Sequence, residues 1–191
     1  TINVLNNTTL NYSGNTLEIG ALSLTLAGGG VIKNTYNFVM NDPVSVINLN
    51  GIKISKFAIV EEQTTGKLIV SNDSLIGTFS QNVSSRLDVE SGVHLTFENN
   101  FEIPEETTME LLGSGNGYLD IINTLTLSGE LKFNAPEYSL DNGTLGLNGG
   151  TITILENASI SSDITHLQSS VVSVADEKEL NYLGSDLQID E

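Results

Sequence analysis

Apolar and polar residues alternate in short bursts along this chain, and the bursts decide which element it can form. Leu17-Glu18-Ile19, Leu24-Thr25-Leu26, Ile52-Lys53-Ile54, Leu87-Asp88-Val89, Leu125-Thr126-Leu127, Leu131-Lys132-Phe133 and Ile152-Thr153-Ile154 each set one polar residue between two apolar ones. A period of two is the mark of a strand with one face buried. Gly, Asn, Asp and Ser, which turn a chain at low cost, lie between the bursts. No apolar stripe at i, i+3, i+4, i+7 is sustained, and only three prolines interrupt the chain. The pattern predicts an all-β protein of short strands.

The bursts recur. Apolar pairs beginning at Ile2, Leu24, Ile47, Leu68, Leu87, Met109, Leu131, Ile152 and Val172 are spaced by 19 to 23 residues. A second series follows by about eight residues in most units, at Leu10/Tyr12, Ile54, Leu75, Leu95/Phe97, Leu119/Ile121, Tyr138/Leu140, Ile160 and Leu180/Tyr182. A third follows by about fifteen, at Leu17/Ile19, Phe38/Met40, Phe101/Ile103, Leu125/Leu127, Leu145/Leu147 and Leu187/Ile189. Three short strands per turn of about 21 residues describe one coil of a three-faced parallel solenoid. One coil cannot enclose its inward side chains, but stacked coils bury them against their equivalents above and below. Nine coils at about 4.8 Å per strand give a core roughly 40 Å long. Asn15, Asn72, Asn116, Asn142 and Asn148, with Gly14, Gly66, Gly92, Gly129 and Gly143, fall at the expected corners, where left-handed backbone angles are needed. The alternative is a β-sandwich or Ig-like tandem of antiparallel strands, which shows similar triplets. Residues 1–191 read as a single solenoid segment, expected to be a fragment of a longer protein because the first methionine is Met40.

Several segments carry a resemblance. Leu145-Gly146-Leu147-Asn148-Gly149-Gly150-Thr151-Ile152, Leu24-Thr25-Leu26-Ala27-Gly28-Gly29-Gly30-Val31-Ile32 and Leu125-Thr126-Leu127-Ser128-Gly129-Glu130-Leu131-Lys132-Phe133 resemble the coil motif of haemagglutinin-like adhesins and autotransporter passengers. The resemblance implies a right-handed parallel β-helix on an outer surface, used for adhesion, aggregation or display. It transfers no site residue. The expected setting is extracellular or cell-surface, with host-cell, carbohydrate or self surfaces as partners.

Charge narrows the partners. Twenty-four acids face seven bases, a formal −17, and Arg86 is the only arginine. Nucleic acid is recognised by clustered Lys and Arg, so no nucleic-acid partner is expected. No apolar run approaches the roughly 18 residues that span a bilayer, so no membrane insertion is expected. The chain has no cysteine, which removes disulfide, zinc-finger and thiol chemistry.

Catalytic patterns are sparse in the chain. His94 and His166 are far apart and lack metal-ligand spacing. Gly113-Ser114-Gly115-Asn116-Gly117 leads into a strand rather than a helix, so it reads as a corner and not a phosphate loop. Asp88 and Glu90 alternate outward, and Glu98, Glu102, Glu105, Glu106 and Glu110 follow within one coil. The period sets Asp88 and Glu110 on adjacent coils about 5 Å apart, the arrangement polysaccharide-cleaving β-helices need. The motifs of polygalacturonases are missing, and the acids read as a solvated face. No catalytic, cofactor or metal residue is assigned and no enzyme activity is expected. Bound calcium is left open at the turn pairs Asn41-Asp42, Asn72-Asp73 and Asp141-Asn142. A polysaccharide-acting enzyme and a carbohydrate-binding module are the alternatives. Tyr12, Tyr36, Tyr118, Tyr138 and Tyr182 are the aromatics such a groove would use, and they do not cluster in sequence. Asn-x-Ser/Thr sequons stand at Asn6, Asn7, Asn11, Asn72, Asn82, Asn142 and Asn157. A first coil with no capping helix and a strand edge at each end predict end-to-end self-association.

Overall fold

Alternation with short turns leaves each strand one apolar side to bury, and stacking is how the chain buries it. In the computed structural model, which describes residues 1–20 and 23–185, the chain winds through about nine turns of a β-solenoid with about 21 residues per coil. No helix occurs among the described residues. Strands pair in parallel with the equivalent strand of the next coil, which excludes the antiparallel sandwich.

The first face holds nine strands, from Ile2–Asn3 through Ser23–Ala27, Val46–Asn50, Lys67–Asn72, Ser85–Val89, Thr108–Leu112, Glu130–Phe133 and Thr151–Ile154 to Val171–Val174. The second runs from Thr9–Tyr12 to Leu180–Tyr182. The third face has two parts. Phe101–Ile103, Thr124–Leu127, Thr144–Asn148 and Asp163–Gln168 form a four-stranded sheet. Before it, Leu17–Ile19 pairs with Phe38–Met40, which pairs with the second half of the long strand Lys53–Ile59. Lys53–Ile59 and Ser74–Gln81 bend from the second face onto the third without a break, so the two faces share one sheet in the early coils.

The core is a set of in-register columns. Leu24, Ile47, Leu68, Leu87, Leu111, Phe133, Ile154 and Val174 form one on the first face. The periodic reading placed Met109 in this column; the structure puts Leu111 there and pairs Met109 with Ser85. Ile2 likewise pairs with Leu26 rather than Leu24. Both slips are of two residues, which keeps a side chain on the same face and so leaves no trace in the alternation. On the second face Ile76, not Leu75, points inward, and it pairs with Ile54 and Phe97.

An aromatic staircase runs up the third face. Phe38 pairs with Phe57, and Phe57 with Phe79, whose ring meets Phe101 edge-on at 5.6 Å. Leu125, Leu145 and Ile164 continue the column. Phe97 joins from the second face at 4.9 Å from Phe79 and 4.4 Å from Phe101. Such ring pairs each add about 0.5–1.5 kcal/mol beyond the area they bury.

One polar side chain is built into this interior. Tyr138 is completely buried, and its hydroxyl donates to the Leu112 carbonyl (2.8 Å) and accepts from the Val89 N–H (2.5 Å). It ties its own coil to the two preceding ones. Burial pushes the hydroxyl well above the ordinary tyrosine range, the Val89 hydrogen bond opposes this, and the Asp88 charge adds to it. The glycine-dense stretch Gly113–Gly117 is a corner, with left-handed angles at Gly113, Gly115 and Asn116. Gly117 leaves the space that the Tyr138 ring occupies, since a Cβ there would collide with it.

Candidate functional site

Alternation that points one residue inward points the next outward, so the outer surface also consists of columns. On the first face the outward residues form a ladder of charge. Lys67 meets Asp88 at 2.5 Å, and Glu110 takes Arg86 at 3.3 Å, Lys132 at 3.5 Å and the Asn134 amide at 2.8 Å. Glu130 accepts from Thr108 (3.0 Å) and Thr153 (2.6 Å). Burial pushes the Glu110 carboxyl up, but the Asn134 hydrogen bond and the Lys132 and Arg86 cations outweigh it and hold it below the ordinary carboxylate value.

This arrangement corrects the expected carboxylate pair. Glu110 stands opposite Arg86, and Asp88 opposite Leu112. The two acids are offset along the strands, each with its own cation. They pair with Lys67, Arg86 and Lys132 and do not converge on a common point.

Acids do line up in register elsewhere, on the outer side of the second face. His94, Tyr118, Ser139, Ser159 and Asn181 form one outward column. Thr96, Asp120 and Asp141 form the next, followed by Ser161. His94 and Tyr118 stack with centroids 4.4 Å apart and planes 7° from parallel. Asp120 accepts from His94 Nδ1 (2.7 Å) and from the Asn142 amide (3.1 Å). Asp141 Oδ1 accepts from both Ser139 (2.5 Å) and Ser161 (2.7 Å). Ser159 donates to Ser139 at 3.0 Å. Residues of these columns line an open groove of about 760 Å³, together with Glu137, Glu179 and Leu183.

Sequence reasoning missed this site because its members are spread across five coils. The signal was present as polar positions one residue away from the second apolar series. Of the tyrosines, Tyr118 lies in the groove and Tyr138 is buried beneath the sheet. Tyr12 packs edge-on against Phe38 at 5.5 Å, and Tyr36 is exposed. His166 lies on the third face, away from His94 on the second.

The turn pairs raised for calcium serve the backbone and one another. Asp42 Oδ1 accepts from the Val44 N–H (2.9 Å) and Asp73 Oδ1 from the His94 N–H (2.9 Å), while Asn72 donates to Asn50 (2.6 Å). Among the described residues, no three His, Asp or Glu side chains converge to hold a metal ion. All seven sequon asparagines are exposed. No protein-family model, curated protein or solved structure matches the chain.

Proposed function

We propose that the chain is an extracellular or cell-surface protein whose β-helical rod serves adhesion, display or fibre structure without catalysing a reaction. The observation that carries this reading is the continuity of the ladder. Strand after strand pairs in parallel from Ile2–Asn3 to Val171–Val174, joined by short corners, so nearly every residue is spent on building length. A rod of this kind presents a long repetitive surface, and the −17 charge keeps that surface solvated. The outward placement of every sequon fits a glycan-bearing surface as well. Nucleic acid does not suit it, because seven bases stand against 24 acids and three of the seven, Lys67, Arg86 and Lys132, are paired with acids. The adhesin-like coil motifs support the same reading.

Antibody labelling of intact source cells, before and after treatment with an external protease, tests the proposal. Labelling that the protease removes is the expected result. A chain reached only after lysis would overturn it.

A polysaccharide-acting enzyme is the second reading, favoured by Asp120 and Asp141, which sit directly opposite each other on adjacent strands. Two carboxyl groups about 5 Å apart suit a retaining glycosidase. Both, however, are already engaged by their neighbours, Asp120 through hydrogen bonds from His94 and Asn142, Asp141 through hydrogen bonds from two serines. A retaining enzyme needs both carboxyl groups turned toward the glycosidic bond, one on each side of it. Release of reducing ends from a polysaccharide, lost in Asp120→Asn and Asp141→Asn, would establish the second reading against the first.

A further inference from the structure

The outward column of the second face changes size abruptly. His94 and Tyr118 carry rings, the next two positions are Ser139 and Ser159, and Asn181 follows. In-register neighbours succeed one another along the rod, so the parallel stacking of His94 on Tyr118 sets both rings across the rod axis. His94 covers one face of the Tyr118 ring. The other face looks up the column over two small hydroxyls. From Tyr118 to Asn181 the groove spans three strand spacings, roughly 14 Å at about 4.8 Å each, long enough for a short oligosaccharide.

Its polar groups are few and placed. Asp141 spends Oδ1 on Ser139 and Ser161, which fixes the carboxylate and leaves Oδ2 without a hydrogen bond among the described residues. Asn181, at the far end, has an amide with both donor and acceptor capacity. Leu183 beside it is 62 % exposed and offers an apolar contact. An aromatic face, a fixed carboxylate oxygen and an amide spread along one groove match a molecule with an apolar ring face and equatorial hydroxyls. Asp120, Asp141, Glu137 and Glu179 give the groove negative charge, which repels uronates and phosphates.

We propose that this groove binds a neutral oligosaccharide, with Tyr118 stacked on one pyranose ring and Asp141 and Asn181 taking its hydroxyls. The proposal deepens the adhesive reading by naming a ligand class, and its test in solution does not depend on where the rod is displayed. The ¹⁵N-labelled chain is titrated with cellobiose, maltose and lactose, and with digalacturonate as the acidic control. Saturable amide shifts at Tyr118, Ser139, Ser159 and Asn181 are expected with at least one neutral sugar and not with digalacturonate. Tyr118→Ala should weaken binding at least tenfold, and Ser159→Tyr, which leaves Tyr118 in place but fills the groove, should do the same. Tyr36→Ala, at an exposed ring outside the groove, should leave it unchanged. Saturation by none of the three neutral sugars, equal binding of digalacturonate, or shifts indifferent to both groove variants would overturn the proposal. A chain that is surface-labelled yet silent in this titration loses the groove alone.

Discussion

Single residues carry more than their share where the interior is not purely apolar. The Tyr138 hydroxyl satisfies the Val89 N–H and the Leu112 carbonyl at a corner shared by three coils. Tyr138→Phe removes one oxygen and strands buried groups that water cannot reach, so it should cost about 1–3 kcal/mol in denaturant unfolding despite its conservative shape. Glu110 is the corresponding residue outside. Its folded carboxyl titrates below the unfolded one, held there by Asn134, Lys132 and Arg86 against the opposing effect of burial. The stability it contributes is complete above the unfolded value and is lost as pH falls through the folded value. Glu110→Gln should therefore destabilise the chain at neutral pH, and the gap between variant and parent should close in acid. Melting temperatures of the two proteins measured from pH 7 down to pH 3 check this; a gap constant with pH would contradict it. Left-handed corners are occupied unexpectedly by Glu106, Glu137 and Glu177 as well as by Asn and Gly. Glutamate has no special ease there, which is why sequence did not mark these corners.

Strands are the scale at which the sequence was most readable. Leu-Lys-Phe at 131–133 and Ile-Thr-Ile at 152–154 pair in register, with the apolar members buried and the polar ones facing out, as alternation alone requires. Leu131→Asp places an unpartnered charge in a closed column and should cost several kcal/mol. Lys132→Ala, one position away, removes only a half-exposed pair with Glu110 and should cost at most about 1 kcal/mol. Comparable losses in urea titration would contradict the assigned faces. The third face was harder to read. Its strands at Phe57–Ile59 and Phe79–Gln81 are continuations of second-face strands, so no turn residue announces them. The groove was illegible for a related reason: its column takes one residue per coil, at offsets that vary with corner length, and nothing local links Tyr118 to Asn181. Asp88 and Glu110 were matched by period alone, and a corner longer by two residues moved them out of step.

The whole molecule inherits the property of its columns, which have no natural end. Val172 and Val174 continue the Leu131–Ile152 and Phe133–Ile154 columns, yet they remain 49 % and 43 % exposed, and Val171–Val174 pairs with a neighbour on one side only among the described residues. A parallel edge with apolar inward side chains is a template for another coil. We propose that copies associate through this end. Sedimentation velocity should show concentration-dependent association that Val172→Lys with Val174→Lys abolishes, while both proteins remain folded by circular dichroism. A parent chain monomeric at every concentration would remove self-association.

The hydrogen bonds between coils point along the rod, and that has a mechanical meaning. A pull applied end to end loads one rung of the ladder at a time, as in a zipper, instead of shearing many at once. Rupture should therefore proceed coil by coil from a free end at low force, beginning where the valines are least covered. Each event should release about 21 residues, and at roughly 3.3–3.6 Å per residue that is about 70 Å of extended chain. A single-molecule force trace with steps of that length would show a rod that yields gradually and re-forms. One large rupture would show that the columns bind the nine coils into a single mechanical unit.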